Sequence, residues 1–408
     1  MTAVMQGIRI LEVAEHTFVP AASAILADWG ADVIKIEHVE RGDAMRGLAA
    51  TGTVDLGAGK VHALLEHSNR GKRSLGLDLS TAEGLEILYR LAATCDVFLT
   101  NKLPKVRAKL SIDVEDIRAH NPKIIYVRGS GFGPKGPDAD SGGYDILGYW
   151  ARSGLAMGGT PEGSDQLQTM PGPAYGDSIG AMNIAGGIAA ALLHRERTGE
   201  ATVVDVSLMA SGMWALGAGI ALSMQSGKPW RPRARDGSGL RNPLAMPYAT
   251  KDGHWVYLSC LQAFHYWPDA CRVIGRPELV GDERFDTVAK LTENATAAAA
   301  ILAAEFVTAT LAEWKERLRD FTGQWAPVQD TVEVANDEQV TANGYLVDAE
   351  MADGTQVPLV ATPVQFDGAP SRPRRAPEFN EHGDDILTRE LGLGWDAVVD
   401  LKVKGVVA

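Results

Sequence analysis

The sequence predicts an α/β fold, with a parallel sheet in the first half and a smaller α+β region in the second. Three observations carry this. Short β-rich runs alternate with helical runs from Gly7 to Arg128. The composition is 45% hydrophobic and 22% charged, with 44 Gly and 20 Pro, a globular profile rich in turns. The character then changes near Gln225, where Lys228–Arg241 (KPWRPRARDGSGLR) is dense in Pro, Gly and Arg. A chain of 408 residues exceeds one ordinary core, so two domains, or one large domain with an insert, are expected.

Gly7–Val13 (GIRILEV) reads as a strand, and Ala21–Trp29 as an Ala-rich helix closed by Gly30. Asp32–Glu37 and Ser74–Leu79 are the next strands. Ser80-Thr81-Ala82-Glu83 reads as a capping box opening the helix Ala82–Ala93. The strand Asp96–Thr100, the helix Val114–His120 and the strand Lys123–Arg128 follow. Strands and helices alternating at these lengths imply parallel pairing through right-handed crossovers. Beyond the linker, Asp252-Gly253 marks a hairpin, Glu293–Leu318 reads as the longest helix, and strands resume at Gly344–Phe366.

A net charge of −13 argues against a nucleic-acid surface, which must neutralise phosphates over a long footprint, and leaves room for a small anionic substrate where a few cations converge. The three cysteines, Cys95, Cys260 and Cys271, are an odd number and far apart. No disulfide framework or zinc site is expected from them, and the nine His do not cluster at metal spacing. The N-terminus has no apolar signal core, and no run of 18 apolar residues occurs. A reduced, cytoplasmic protein without metal is the expectation.

The most informative segment is Gly176–Gly199, GDSIGAMNIAGGIAAALLHRERTG. Residues 179–193 are almost wholly apolar or small, so the helix is expected to be buried on most sides. His194, Arg195 and Arg197 suit its negative end, and Gly199 its left-handed cap. Asp177 and Ser178 then lie at the positive end. Asp there is ordinarily a cap; the same position would also keep a carboxylate ionised and aimed, as a nucleophile requires.

Two motifs mislead. Gly131–Gly136 (GFGPKG) matches GxGxxG, but Pro134 and Pro137 stand where a phosphate-binding helix would begin. The loop after the first strand, Glu15–Pro20, has no glycine, so a nicotinamide dehydrogenase is not expected. Gly176-Asp177-Ser178 resembles a hydrolase GDS motif, with His382 as the candidate base but without an Asp three residues before it.

Several motifs in order resemble the family III CoA-transferases of the CaiB/BaiF type, a group sharing its fold with the α-methylacyl-CoA racemases. They are GIRILEVA, GADVIKIE, NRGKRSLGLDL, TNKLPKVRAKL, SGFGPKGP, GGYDILGY, the Asp177 segment, NPLAMPYATKDGHW, APVQD and EHGDDIL. The resemblance implies a Rossmann-like large domain, residues 1–224 and 331–408, around a small domain and linker, residues 225–330, in an intertwined homodimer. It places Asp177 on the catalytic aspartate, which forms an acyl anhydride and then a CoA thioester. Acyl-CoA and small carboxylic acids would be the substrates, with no tightly bound cofactor.

The resemblance also aligns His16, Thr17, Phe18, His38, Leu77, Ser80, Asn101, Lys102 and Lys109 with CoA-contacting positions. Lys102, Lys105, Arg107 and Lys109 form a cationic run that suits the phosphates of CoA, or equally a solvated charged face. Tyr144 and Asp145 align with a contacting Tyr–acid pair; Tyr144 also reads as a core residue. The family's glycine-rich gating loop falls on Asp236–Gly239, where only Gly237 and Gly239 remain. A racemase needs two acid/base groups across the α-carbon. The second is a His in that family, and here Tyr144 stands in its place, with a reference pKa of about 10. A CoA-binding protein without turnover is the non-enzymatic alternative. Gly158–Met170 and Arg231–Arg241 are candidate specificity loops.

Overall fold

The central strands of the main sheet are buried on both faces, because alternate side chains feed two separate cores. The computed structural model describes residues 2–51, 54–55, 61–232 and 239–408. Six strands pair in parallel: β1 (Arg9–Val13), β2 (Asp32–Glu37), β3 (Arg73–Gly76), β4 (Val97–Thr100), β5 (Ile125–Ser130) and β6 (Val203–Ser207). Their order is β3-β2-β1-β4-β5-β6. That is the doubly wound order, whose crevice opens where the winding reverses, beside β1 and β4.

Ile10, Val33, Val97, Leu99, Ile125 and Val127 point to one side. There they meet α1 (Phe18–Asp28) and α6 (Tyr175–Thr198). Leu11, Ile34, Phe98 and Tyr126 point to the other. On that side lie α3 (Ala82–Ala92), α5 (Val114–His120) and the C-terminal residues Ile386, Leu387 and Val398. The period-2 alternation of strand side chains produces this division.

The tail is stitched to the β3 edge. Asp78 N donates to Val406 O at 2.9 Å, and Asn380 Nδ2 donates to the Ala408 carbonyl at 2.6 Å. The chain forms two compact units. One comprises Met1–Thr160, Gln166–Trp230 and Gln339–Ala408; the other Pro161–Asp165 and Arg231–Glu338. The second has its own core, including Trp267, Phe285, Phe306 and Trp314. Its antiparallel strands are Pro247–Ala249, Trp255–Leu258 and Trp325–Val328, the first turn made at Gly253 with φ of 82°.

Three local expectations change. α1 starts at Phe18 rather than Ala21, because Pro20 is tolerated in a first turn. Thr81, not Ser80, caps α3 by accepting from Gly84 N at 3.0 Å. Ser80 is committed elsewhere, its hydroxyl donating to Asp78 Oδ1 at 2.7 Å. The helix expected over Glu293–Leu318 is broken into Ala295–Phe306 and Leu311–Arg317. The break comes at Thr310, which forms a capping box with Glu313 and so starts a new helix.

α6 is the longest helix among the described residues and is long and apolar enough to cross a membrane, with a mean hydropathy of 1.3 over its most apolar window. Here it lies on the sheet, with Ala181, Ile184, Ala185 and Ile188 fully buried. Gly180 packs directly against Phe18 of α1. A Cβ there would come within 2.4 Å of the Phe18 ring.

Buried charges cross the sheet beneath the β1 loop. Lys35 Nζ donates to Glu12 Oε1 at 2.7 Å and pairs with Asp43 at 2.7 Å. Lys72 Nζ donates to Glu12 Oε2 at 2.8 Å. Glu12, Lys35 and the Lys72 ammonium are fully shielded from solvent. Substituting Glu12→Gln removes the anion shared by buried Lys35 and by Lys72, whose pKa burial lowers to about 7, and stability is expected to fall by about 3–5 kcal/mol. Urea unfolding at pH 7 measures this; a loss below about 1 kcal/mol would show that the lysines find other partners.

Candidate active site

The first turn of α6 sits at the end of an unusual approach. Its N-cap, Ala174, has a left-handed backbone (φ 56°) and makes no side-chain cap bond. Asp177 is therefore the third helical residue, not the cap. Asp145 lies close enough to the amides of Gly176 and Asp177 for them to favour its anion, but no hydrogen bond reaches its buried Oδ2 among the described residues. Its Oδ1 accepts from Ile146 N at 2.8 Å, at the start of a π-helix over Ile146–Arg152. Gly176 is required by packing, since a Cβ there would lie 2.5 Å from the Tyr149 ring.

Two carboxyl groups thus share one helix end. Burial raises the pKa of Asp145, while the amides of Ile146, Gly176 and Asp177 stabilise its anion. Asp177 keeps some solvent-accessible surface but is deeply enclosed. Burial pushes its pKa from 3.8 up to about 8, and the charge of Asp145 adds to the rise. The expectation that the helix end keeps Asp177 ionised is corrected: desolvation and a like charge outweigh the helix end, whose amides favour the anion of Asp145 instead.

Ser178 does not have the wiring of a nucleophile. Its hydroxyl lies 2.8 Å from the Ala174 carbonyl, which can only accept, so the serine proton points there. His67 Nε2, 3.0 Å from the same oxygen, is then the donor. Burial, with Arg70 nearby, holds the His67 ring down to about 4. His382 is placed elsewhere, its Nδ1 accepting from Ser74 N at 3.3 Å. Sequence reasoning missed His67; its distance of 111 residues from Ser178 left no local signal.

The loop after β1 reaches toward this site. His16 has a left-handed backbone (φ 69°), and its amide donates to Asp43 Oδ1 at 3.0 Å. Its ring meets Tyr144 edge-on with centroids 5.5 Å apart. Tyr144 is 60% exposed and so is not a core residue. Thr17 and Phe18 are buried, Thr17 as the N-cap residue of α1 and Phe18 as packing against Gly180.

A cavity of about 230 Å³ lies at the carboxyl ends of β1 to β4. His38, Leu77, Ser80 and Lys102 line it, together with Glu15 and Arg41, which sequence reasoning did not single out. Asn101 faces a neighbouring cavity of about 250 Å³. Its side chain holds the Glu15 backbone, accepting from N at 3.2 Å and donating to O at 2.7 Å. The cationic run divides. Arg107 is buried and structural, donating to Lys102 O at 2.8 Å, whereas Lys109 is exposed and lines neither cavity. Gly239 is exposed with φ of 69°, and Gly237 lies outside the described residues.

The family description CoA-transferase family III matches residues 5–383. An (R)-2-hydroxy-4-methylpentanoate CoA-transferase of Clostridioides difficile is 28% identical, over 99% of each chain. A cinnamoyl-CoA:phenyllactate CoA-transferase of Clostridium sporogenes is 31% identical, over 98% of this chain and 96% of its own. The crystal structure of a CAIB/BAIF family protein from Brucella suis aligns with a TM-score of 0.80 at 28% identity, covering 95% of this chain and 100% of that one.

A carboxyl with a raised folded pKa makes stability fall with pH. The unfolded chain releases the Asp177 proton near pH 4, while the folded chain holds it to about 8. The urea midpoint of Asp177→Asn is expected to gain on that of the wild type as pH rises from 4 to 8. Parallel curves would remove the raised pKa.

Proposed function

The chain belongs to CoA-transferase family III, and we propose that it moves coenzyme A from an acyl-CoA donor to a carboxylic acid acceptor through Asp177. The observation that carries this is the enclosed Asp177 carboxyl in the first turn of α6, whose pKa burial and the neighbouring Asp145 raise to about 8. No serine–histidine nucleophile competes beside it. A more basic carboxylate is a better nucleophile once it has lost its proton, and a thiolate leaves readily without a general acid.

The Asp177 carboxylate attacks the thioester carbonyl; the C–S bond breaks, giving an acyl-aspartyl anhydride and CoA thiolate. The thiolate attacks the Asp177 carbonyl carbon, expelling the donor as its carboxylate and leaving an aspartyl-CoA thioester. The acceptor carboxylate attacks that thioester, expelling thiolate and forming a second anhydride. Attack of the thiolate on the acceptor carbonyl yields the new acyl-CoA and returns Asp177 as carboxylate. No proton is gained or lost overall. Both anhydrides are water-sensitive, so the site must close during turnover; the gating loop that the family resemblance puts at Gly237 and Gly239 is proposed to provide that closure.

The relatives named above act on branched or aromatic carboxylic acids, and small acids of that kind are the proposed substrates. We place the pantetheine and nucleotide of CoA along the His16 loop and the cavity lined by His38, Leu77, Ser80 and Lys102. An interlocked homodimer is proposed on the strength of the family; exposed Trp214 (85%) and Met224 are apolar surface that a second copy would cover. A cytoplasmic setting is proposed from three free, buried cysteines, which suit a reducing compartment. Racemisation would require Tyr144 as the second acid/base, and its exposure on the His16 ring gives no means of activating it.

Incubation with an acyl-CoA panel in D₂O tests the mechanism by mass spectrometry. A hydroxylamine-sensitive adduct on Asp177, without deuterium at the acyl α-carbon, is expected; deuterium without an adduct would restore the racemase. Substituting Asp177→Asn is expected to lower kcat by on the order of 10³-fold or more. In the wild type, adduct formation should rise with pH toward about 8, as Asp177 loses its proton. A pH-independent rate between 5 and 8 would contradict this.

A further inference from the structure

The cavity at the ends of β1 to β4 presents its cations already neutralised. Lys102 Nζ donates to Glu15 Oε2 at 2.6 Å, and Arg41 reaches Glu15 Oε1 at 3.2 Å. Both side chains of the Lys102–Glu15 pair are largely enclosed, 20% and 18% exposed, whereas Arg41 is 61% exposed. One carboxylate therefore occupies the two side chains best suited to a phosphate in this cavity.

The way Glu15 is held separates its backbone from its side chain. Asn101 grips the Glu15 amide and carbonyl. The next residue is fixed by the bond from His16 N to Asp43. The carboxylate is held by Lys102 and Arg41 alone among the described residues. It can thus swing away without disturbing the loop that carries it.

We propose that Glu15 is a displaceable counter-carboxylate: a phosphate group of the incoming CoA takes over Lys102 and Arg41, and Glu15 sets how tightly that phosphate is held. This rests on the CoA-transferase reading and names a residue that limits affinity within it. Before binding, Glu15 keeps two cations from standing unpaired in a part-enclosed cleft. During binding it competes with the phosphate and, once displaced, repels it. The product is another CoA thioester, so a weakened hold on the shared phosphate hastens its release.

Calorimetric titration of the full chain with CoA, and with pantetheine, which has no phosphate, tests the proposal. Glu15→Gln keeps the backbone clamp and is expected to bind CoA about fivefold tighter, as the competing carboxylate and its two part-exposed ion pairs are lost. Its affinity for pantetheine should not change, and its advantage for CoA should shrink in 0.5 M salt, where the Debye length falls to about 4 Å. The double variant Glu15→Gln, Lys102→Met should lose that advantage. Equal tightening for both ligands, or weaker CoA binding in Glu15→Gln, would overturn the proposal. A wild-type chain that binds no CoA would overturn the CoA-transferase reading as well, and so is told apart from failure of the Glu15 role alone.

Discussion

Glu12, sealed in the sheet between Lys35 and Lys72, is the constraint on which the rest depends. Buried charges hold a fold only when paired and hydrogen-bonded, and each unmet partner costs several kcal/mol. The pairing therefore leaves little choice of geometry. Glu12 lies on β1, Lys35 on β2, and Lys72 immediately before β3, while Ser23 of α1 donates to the same carboxylate. Lys35 then reaches Asp43, and Asp43 takes the His16 amide. A cluster with no direct chemistry fixes where the β1 loop can go.

From that loop the order passes outward through contacts rather than chain connectivity. His16 meets the ring of Tyr144, whose neighbour Asp145 lies beside the start of α6. Asp145 serves the helix and burdens Asp177 at once. The amides of Ile146, Gly176 and Asp177 favour its anion, and its charge makes the second carboxyl harder to ionise. Asp177 is left basic and held in place, a combination that neither acid would have alone. On the other side of the β1 loop, Asn101 and Glu15 shape the mouth of the cavity. One loop thus faces both the reacting group and the proposed nucleotide end.

Much of this was legible in the linear chain. The alternation of β-rich and helical runs from Gly7 to Arg128 declared a parallel sheet, and the small-residue run after Asp177 declared a buried helix. Thr310 and Glu313 also carried the signal for a helix start, overlooked because the Ala-rich run before them reads as continuous helix. Other features had no local signal. Glu15 and Arg41 look like surface charges until β1 and β2 lie side by side. His67 becomes the partner of Ser178 only when α2 (Ala63–Asn69) packs beside α1. Lys109 shares its sequence neighbourhood with Lys102 but not its direction.

By itself the sequence determined the alternating layers, the helix that bears Asp177 and the ordered motifs of family III, because periodicity, caps and small-residue runs act within a few residues of chain. Tertiary structure alone decided the protonation of Asp177, the silence of Ser178 and the pairing of Glu15. These depend on burial and on charges brought together across the fold. Desolvation and Coulomb energies follow distance in space, and distance in space is not written in neighbouring residues.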